Sequence, residues 1–319
     1  MTNLIRIGTY NTNNLFDRFD DPYNFRDDAW NAFREGTRPK NLTDLFQLGG
    51  RIRSSNVDIL GLQEIESYGA LYNFVQGHVG PEYKVMDGVL SVPGNDPRGI
   101  DLGLLSKFPI GRVISHRFRK GERYRVFSRD CLEVEILTEA RDDVLLTVFL
   151  CHLKSKYSKF DPIRQTAEYL ADQAKSQERR AHQVAETIAI VQAGRDIETD
   201  RFVILGDMND TRDSAALAGF LDADNPLGLT NVSLSIPDDE EYPQAPYPDS
   251  SKKRKRDTHK WSRTDRFGNA LTTYSQLDFV LLSNALAKGF TGTAKVEQRG
   301  FTSGSDHYML WAEVDLDRL

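Results

Sequence analysis

"VILGDMND", residues 203–210, holds an apolar run, Val203 to Leu205, that stops at Gly206. Asp207, Asn209 and Asp210 then follow within four positions. A continuous apolar run marks a strand covered on both faces, so this stretch predicts a buried strand whose end delivers small polar groups to a rim. The same figure recurs in both directions along the chain. "LIRIGTY" (4–10) leads to Asn11 and Asn13, "VDILGLQ" (57–63) to Glu64, and "VLLTVFLCH" (144–152) ends at His152 with Lys154 just beyond. "LDFVLLS" (277–283) begins beside Asp278, and "GSDHYML" (304–310) sets Asp306 and His307 ahead of a last apolar run. "DLGLLS" (101–106) and "CLEVEIL" (131–137) read as further strands, the latter alternating apolar and acidic residues as a strand with one wet face does.

Helical patterns intervene. Residues 42–56 place Leu45, Leu48 and Ile52 on one stripe, with Thr43 as the expected N-cap. Residues 162–195, with Pro162 at the start and Gly194 near the end, read as helical, either one long helix or two with a break near Ala174–Gln177. Strands and helices mix without strict alternation, which predicts an α/β fold, a layered sandwich with mixed sheets. No composition shift divides the chain, so one domain over 1–319 is expected, with 231–275 as a long irregular loop region.

The 319 residues are 39% hydrophobic and 28% charged, ordinary for a soluble globular enzyme with a large core. No apolar run approaches the ~20 residues of a membrane span, and the N-terminus has no apolar leader segment. The only cysteines, Cys131 and Cys151, lie in apolar strand-like runs and read as buried thiols. A cytoplasmic setting fits, and no obligate protein partner is inferred. The net charge of −6 gives no general attraction to a polyanion, so affinity for nucleic acid would need a local basic surface. "KKRKR" (252–256) is the candidate, although a charge run in a proline-rich segment reads first as a solvated, mobile loop.

The strand-end groups comprise the carboxylates Glu64, Asp207, Asp278 and Asp306, two histidines, two side-chain amides and a lysine. Hard oxygen donors without a cysteine cluster suit Mg²⁺ or Mn²⁺ rather than zinc. The set also suits metal-assisted attack of water on phosphorus. Taken singly, an Asp or Asn after a strand is a turn or cap residue; the ordered set is what points further.

In order, "YNTNNL", "LGLQEIE", "RGIDLGLLSKFPI", "CHLKSK", "LGDMND", "LDFVLLS" and "GSDHYML" resemble the endonuclease/exonuclease/phosphatase family, which includes deoxyribonucleases, abasic-site endonucleases, sphingomyelinases and inositol-polyphosphate phosphatases. The resemblance implies a four-layer α/β sandwich, two face-to-face β-sheets flanked by helices. It implies that Glu64 and Asp306, with Asn13, lie at a divalent metal, and that Asp207 and Asn209 orient or deprotonate the attacking water with help from Asn11. His307, with Asp278 as its carboxylate partner, would contact the scissile phosphate. His152 would bind phosphate or protonate the leaving oxygen.

Arg98 is either a phosphate clamp or a loop cation, and Arg129 either reaches the cleft or pairs with Asp130. Lys154, two residues past His152, is expected on the same strand face, in contact with substrate. His182 reads as surface or core, His78, His116 and His259 carry no motif, and Trp261 and Tyr274 read as packing residues that could also stack on a base. Asn13 stands where abasic-site endonucleases resemble one another in an aspartate, and His152 where they have a tyrosine, which argues against abasic-site repair. The expected activity is a metal-dependent nuclease on DNA, or RNA also. A phosphatase or phosphodiesterase for a small, inositol or lipid phosphate is the alternative, and a silent binding module is the weakest reading.

Overall fold

The computed structural model describes residues 3–17, 39–83, 87–121, 124–160, 166–238, 253–264, 270–298 and 303–319. The strands in chain order are β1 (Leu4–Leu15), β2 (Ile59–Ile65), β3 (Val89–Val92), β4 (Asp101–Ser106), β5 (Ile110–Ser115), β6 (Cys131–Leu137), β7 (Val144–His152), β8 (Phe202–Asp207), β9 (Thr230–Asn231), β10 (His259–Thr264), β11 (Ala270–Ser275), β12 (Asp278–Leu282), β13 (Phe290–Val296) and β14 (Leu310–Asp315). One six-stranded sheet has the order β13-β14-β1-β2-β4-β3 and the other β5-β6-β7-β8-β12-β9, while β10 and β11 form a separate hairpin. Each sheet is mixed: β1 runs parallel to β2 and β7 parallel to β8, and the other pairs are antiparallel.

Inward-facing residues of both sheets make one core, with Ile7, Ile59 and Leu104 against Val148, Leu150, Val203, Leu205 and Val280. Gly61 allows this approach, because a Cβ there would run into the side chains of Leu205 and Leu150. Outside the first sheet, α1 (Leu42–Ser55) and α2 (Tyr68–Phe74) cover Tyr10, Leu60 and Leu62 with Leu48, Ile52, Leu71 and Phe74. Outside the second, α3 (Ala167–Gly194) lays Val184, Ile190 and Val191 on Phe149, Phe202, Ile204 and Leu281. The layers are helix, sheet, sheet, helix, the predicted four-layer sandwich.

Several local readings change. The α1 N-cap is Asn41, whose side chain accepts from the Asp44 N–H, and not Thr43. α3 is one unbroken helix of 28 residues capped by Thr166; residues 161–165 lie outside the described set. The alternating strand β6 is less wet than predicted, since Glu133 and Glu135 are covered by ion pairs with Arg112 and Arg195. Cys131 and Cys151 are free, buried and directly opposite one another on β6 and β7.

The region 231–275 is more ordered than the sequence suggested. It contributes Asn231 to β9, a 3₁₀ turn over Val232–Ser235 and the β10–β11 hairpin, while 239–252 and 265–269 lie outside the described residues. Where it is described the basic run is only partly solvated: Arg254 is exposed, Lys255 and Arg256 are half-buried, and Lys253 is buried. Lys253 is 9% exposed with its ammonium 4.5 Å from the Tyr308 ring centroid. Arg254 and Arg256 reach Asp238 at 3.4 and 3.7 Å, and Gln298 donates to the carbonyls of Arg254 and Asp257. Lys252 lies outside the described residues. Among the described residues no helix is long and apolar enough to cross a membrane.

Candidate active site

The topology explains why distant segments meet. β1 and β2 run in one direction, as do β7 and β8, so Asn11, Glu64, His152 and Asp207 all emerge at C-terminal strand ends. β12 pairs antiparallel to β8 with Asp278 opposite Asp207, and His307 precedes β14, which is antiparallel to β1. One rim of the sandwich therefore collects the strand-end groups other than Lys154, with Asp278 buried behind His307. They line a cleft of about 250 Å³ that includes Asn11, Asn13, Glu64, Arg98, Arg129, His152, Asp207, Asn209, Asp306 and His307.

Four cleft residues occupy left-handed backbone: Asn13 (φ 50°), Asn14 (φ 59°), Glu64 (φ 65°) and Asn209 (φ 52°). For non-glycine residues such conformations cost about 1–3 kcal/mol each, and asparagine is the side chain that tolerates them best. The β1–β2 register shifts between Asn11 and Leu15, and β2–β4 between Gln63 and Ile65, so the bulges turn Asn13 and Glu64 toward the cleft. Local bonds hold the turn: the Asn13 N–H donates to Asn11 Oδ1 at 2.9 Å, and the Asn14 N–H to Glu64 Oε2 at 3.1 Å.

Asp207 is the hub. Its Oδ2 accepts from Asn11 Nδ2 at 3.0 Å and Asn209 Nδ2 at 3.2 Å, and its Oδ1 accepts from the Asn209 N–H at 2.8 Å. Two imidazoles flank it, with His152 Nε2 at 3.5 Å and His307 Nε2 at 3.9 Å from Oδ2. His307 Nδ1 bonds Asp278 Oδ2 at 2.8 Å. Asp278 in turn is fixed by its backbone N–H, which donates to the Thr258 hydroxyl at 3.0 Å.

Burial and neighbouring charge push the two histidines apart. Burial alone would lower the pKa of His307, but the Asp278 and Asp207 carboxylates outweigh it and hold it at about 10. His152 goes well below the usual imidazole range, through burial first and then the charges of Arg129, Arg98 and His307. One imidazole is a fixed cation and the other neutral, the separation of roles that acid–base chemistry needs. Burial also raises the Asp207 carboxyl, with His307 and the bonds from Asn209 and Asn11 countering it.

Arg129 reaches the cleft and does not pair with Asp130; its Nε lies 2.8 Å from Asp96 Oδ2 and its Nη1 donates to the Leu153 carbonyl at 3.1 Å. Arg98 holds the same Asp96 at 3.1 Å and faces Glu64 at 4.0 Å, so both arginines are aimed by one buried carboxylate that the motif pattern does not single out. Lys154 is the expected residue that the structure does not bring in. β7 ends at His152, the alternation of faces lapses beyond it, and the Lys154 side chain lines a separate groove beside α3. Sequence reasoning missed Asn14 and His259. His259 pairs with His307 in an isolated bridge, with ring centroids 4.7 Å apart, and burial and the His307 charge lower its pKa to about 4.

The donor set fits a hard divalent cation. Glu64, Asp306 and the Asn13 amide offer only oxygens, as Mg²⁺ and Mn²⁺ prefer. Burial raises the Glu64 carboxyl and the Asp306 charge raises it further, against Arg98, so the two acids share a field that an added cation would relieve. Asp306 is the open member, its side chain 46% exposed and 3.8 Å from His259 Nε2. Asp207, Asp278 and His307 also crowd together closely enough to share an ion, but their bonds to one another and to Asn11 and Asn209 occupy them.

A rim of acids, amides and imidazoles on a two-sheet sandwich defines a class, the phosphoric-ester hydrolases that act through an ordered polar cleft. The chain matches the pattern of the Endonuclease/Exonuclease/phosphatase family over residues 8–307, and it belongs to that family, whose enzymes depend on divalent metal ions. Its fold is similar to that of TDP2 from Caenorhabditis elegans (16% identity, TM-score 0.55, 98% of this chain and 74% of that one). It is similar to the human Nocturnin catalytic domain with bound sulfate (14%, TM-score 0.57, 97% and 92%). D. rerio TDP2 complexed with single strand DNA product is a third such structure (14%, TM-score 0.54, 98% of each). No curated protein matches the chain by sequence.

Proposed function

We propose that this chain is a divalent-metal-dependent phosphodiester hydrolase that cleaves nucleic acid, DNA in the first place, by in-line attack of water. The observation that carries the reading is the Asp207 carboxylate set between cationic His307 and neutral His152, with Asn11 and Asn209 fixing its oxygens. Asp207, raised by its burial, accepts the proton of the attacking water as the new O–P bond forms and the ester P–O bond breaks, the leaving oxygen taking its proton from solvent water at the open mouth of the cleft. His307, locked by Asp278, donates to a phosphoryl oxygen, and electrostatic support of this kind is commonly the largest contribution to the rate. His152, with Arg98 and Arg129 beside it, holds the remaining phosphoryl oxygens. The metal, held by Glu64, Asp306 and Asn13, supplies charge to the phosphoryl group when bound.

The small cleft favours a second reading, in which one compact phosphate head group from an inositol or lipid is the whole substrate. A panel of plasmid, single-stranded DNA, RNA, inositol phosphates and lipid phosphodiesters, each with Mg²⁺, Mn²⁺ or Ca²⁺, separates the two. Cleavage of DNA with Mg²⁺ or Mn²⁺, lost in Glu64→Ala, supports the nuclease. Turnover of head groups alone would replace it with the second reading.

A further inference from the structure

Beside the cleft lies a groove of about 850 Å³ between the β5–β6 connection and α3, lined among others by Lys120, Tyr124, Lys154, Lys175 and Arg179. Resting on the nucleic-acid reading above, we infer that this groove seats the phosphate next to the scissile one in a single-stranded nucleic acid, with an unpaired base against Tyr124.

The placement comes first. His152 stands in the cleft and Lys154 follows two residues on, a backbone span of at most about 7 Å, so the groove that Lys154 lines adjoins the cleft along β7's exit. The position is rigid. The Lys154 N–H donates to Gln183 Oε1 at 2.8 Å, and its carbonyl accepts from Arg180 Nη1 at 3.0 Å. Arg180 is itself buried and bonded to Asp210 at 2.9 Å.

The charges are arranged for an anion. Lys154 and Arg179 are both partly buried, and neither lies within ion-pair distance of a carboxylate among the described residues. Arg179 Nε is buried with no hydrogen-bond partner, while Nη2 donates to the Arg125 carbonyl at 3.3 Å. Burial holds the Lys154 ammonium below its usual range, and Arg129 and Arg179 press it further down against a weaker counterpull from Asp172. Of the groove's other acids, Glu186 is taken by Arg119 at 2.8 Å and Glu178 is exposed on the helix. A phosphate would relieve this crowding where no protein group does.

The aromatic groups select the form of the strand. The Arg179 guanidinium sits 4.9 Å from the Tyr124 ring centroid, and Tyr124 is 44% exposed. Next to it, exposed Phe118 carries Arg117 at 4.5 Å and Arg125 at 4.8 Å. Cations interleaved with exposed rings suit backbone tracking with base stacking, and stacking on a side chain requires a base that is not paired. The basic run 253–256, folded against Asp238, Gln298 and Tyr308, offers no comparable surface.

The test is binding of a fluorescent single-stranded dodecathymidylate to the full chain in EDTA, read by anisotropy. Lys175→Glu and Tyr124→Ala change exposed side chains, and equal thermal midpoints confirm that the fold is kept. Each substitution should weaken binding by about tenfold, Lys175→Glu should flatten the dependence of Kd on salt, and the matching duplex should bind less tightly than the single strand. Wild-type affinity and salt dependence in both variants would overturn the groove while leaving the nuclease reading intact. A wild-type chain that neither binds nor cuts any strand, yet hydrolyses a nitrophenyl phosphodiester, would overturn both.

Discussion

His307 Nδ1 and Asp278 Oδ2 lie 2.8 Å apart in the floor of the cleft, and Asp278 is fully buried. The pair joins β12 of one sheet to the segment entering β14 of the other, so the His307 imidazole is positioned by the packing of the two sheets. Asp278→Asn removes the charge that most favours the imidazolium but keeps the shape. The expected result is a fall in kcat of about 10²–10⁴ on a nitrophenyl phosphodiester, with KM changed far less, because the carboxylate acts through His307. His307→Ala and Asp207→Asn should lose most turnover with the fold intact by circular dichroism. Near-normal kcat in Asp278→Asn would remove His307 from the chemistry.

Glu64 and Asp306 give the metal prediction. Burial and, more weakly, Asp306 raise the Glu64 carboxyl against Arg98, so a divalent cation bound between the two acids would stabilise the folded chain. Adding Mg²⁺ or Mn²⁺ at 100 times its Kd should stabilise the wild type by about 2.7 kcal/mol, visible as a rise in thermal midpoint. Glu64→Gln should lose most of that rise, and activity should vanish in EDTA and return with metal. A rise that Glu64→Gln keeps in full would place the cation site elsewhere, and a wild-type midpoint indifferent to both ions would mean that neither binds.

Asp130 sets a pH dependence away from the cleft. Burial raises its carboxyl pKa to about 6, with the Ser115 hydroxyl at 2.5 Å and His116 countering only in part, and Oδ1 has no partner. The folded state therefore binds a proton more readily than the unfolded chain, whose carboxyl titrates near 3.8. Stability falls as pH rises from about 4 to about 6 and stays low above, a total of about 3 kcal/mol. Asp130→Asn should be the more stable protein at pH 7.5 by urea unfolding, and its advantage should disappear near pH 4. An advantage for the wild type at pH 7.5 would contradict the assignment.

Much of the cleft was legible because its groups follow strand ends, and apolar runs such as Val203–Leu205 mark those ends. Parallel pairs β1–β2 and β7–β8 then guarantee that their polar sequels share a rim. Even the strained turns left a trace, since three of the four left-handed cleft residues are asparagines. Lys154 was misplaced because a two-residue alternation holds only inside a strand, and β7 ends at His152. His259 left no local sign at all. Its place beside His307 comes from a bridge between a hairpin and a loop 48 positions later in the chain, which no periodicity encodes. The basic run misled for a similar reason: a charge pattern does not show that Asp238, Gln298 and Tyr308 will fold over it.

Gly206 ties the strand to the chemistry. Its φ is 141°, a conformation side chains rarely adopt, and a Cβ there would drive into the carbonyl oxygen of Cys151 on β7. Cys151 pairs with Gly206 and His152 with Asp207, so the close approach of the two backbones is what sets His152 Nε2 3.5 Å from the Asp207 carboxylate. Gly206→Ala must either part the strands or twist the chain out of register. The expected cost is at least about 3 kcal/mol in denaturant unfolding, and any folded fraction should turn over poorly because His152 and Asp207 no longer face one another. Gly8→Ala gives a useful contrast: its Cβ would meet the Leu310 carbonyl at 2.8 Å across the β1–β14 pairing of the other sheet, between residues that do not line the cleft. That variant should lose stability while each folded molecule keeps its turnover. Equal specific activity in both folded variants would mean that the β7–β8 contact shapes the fold but does not set the catalytic spacing.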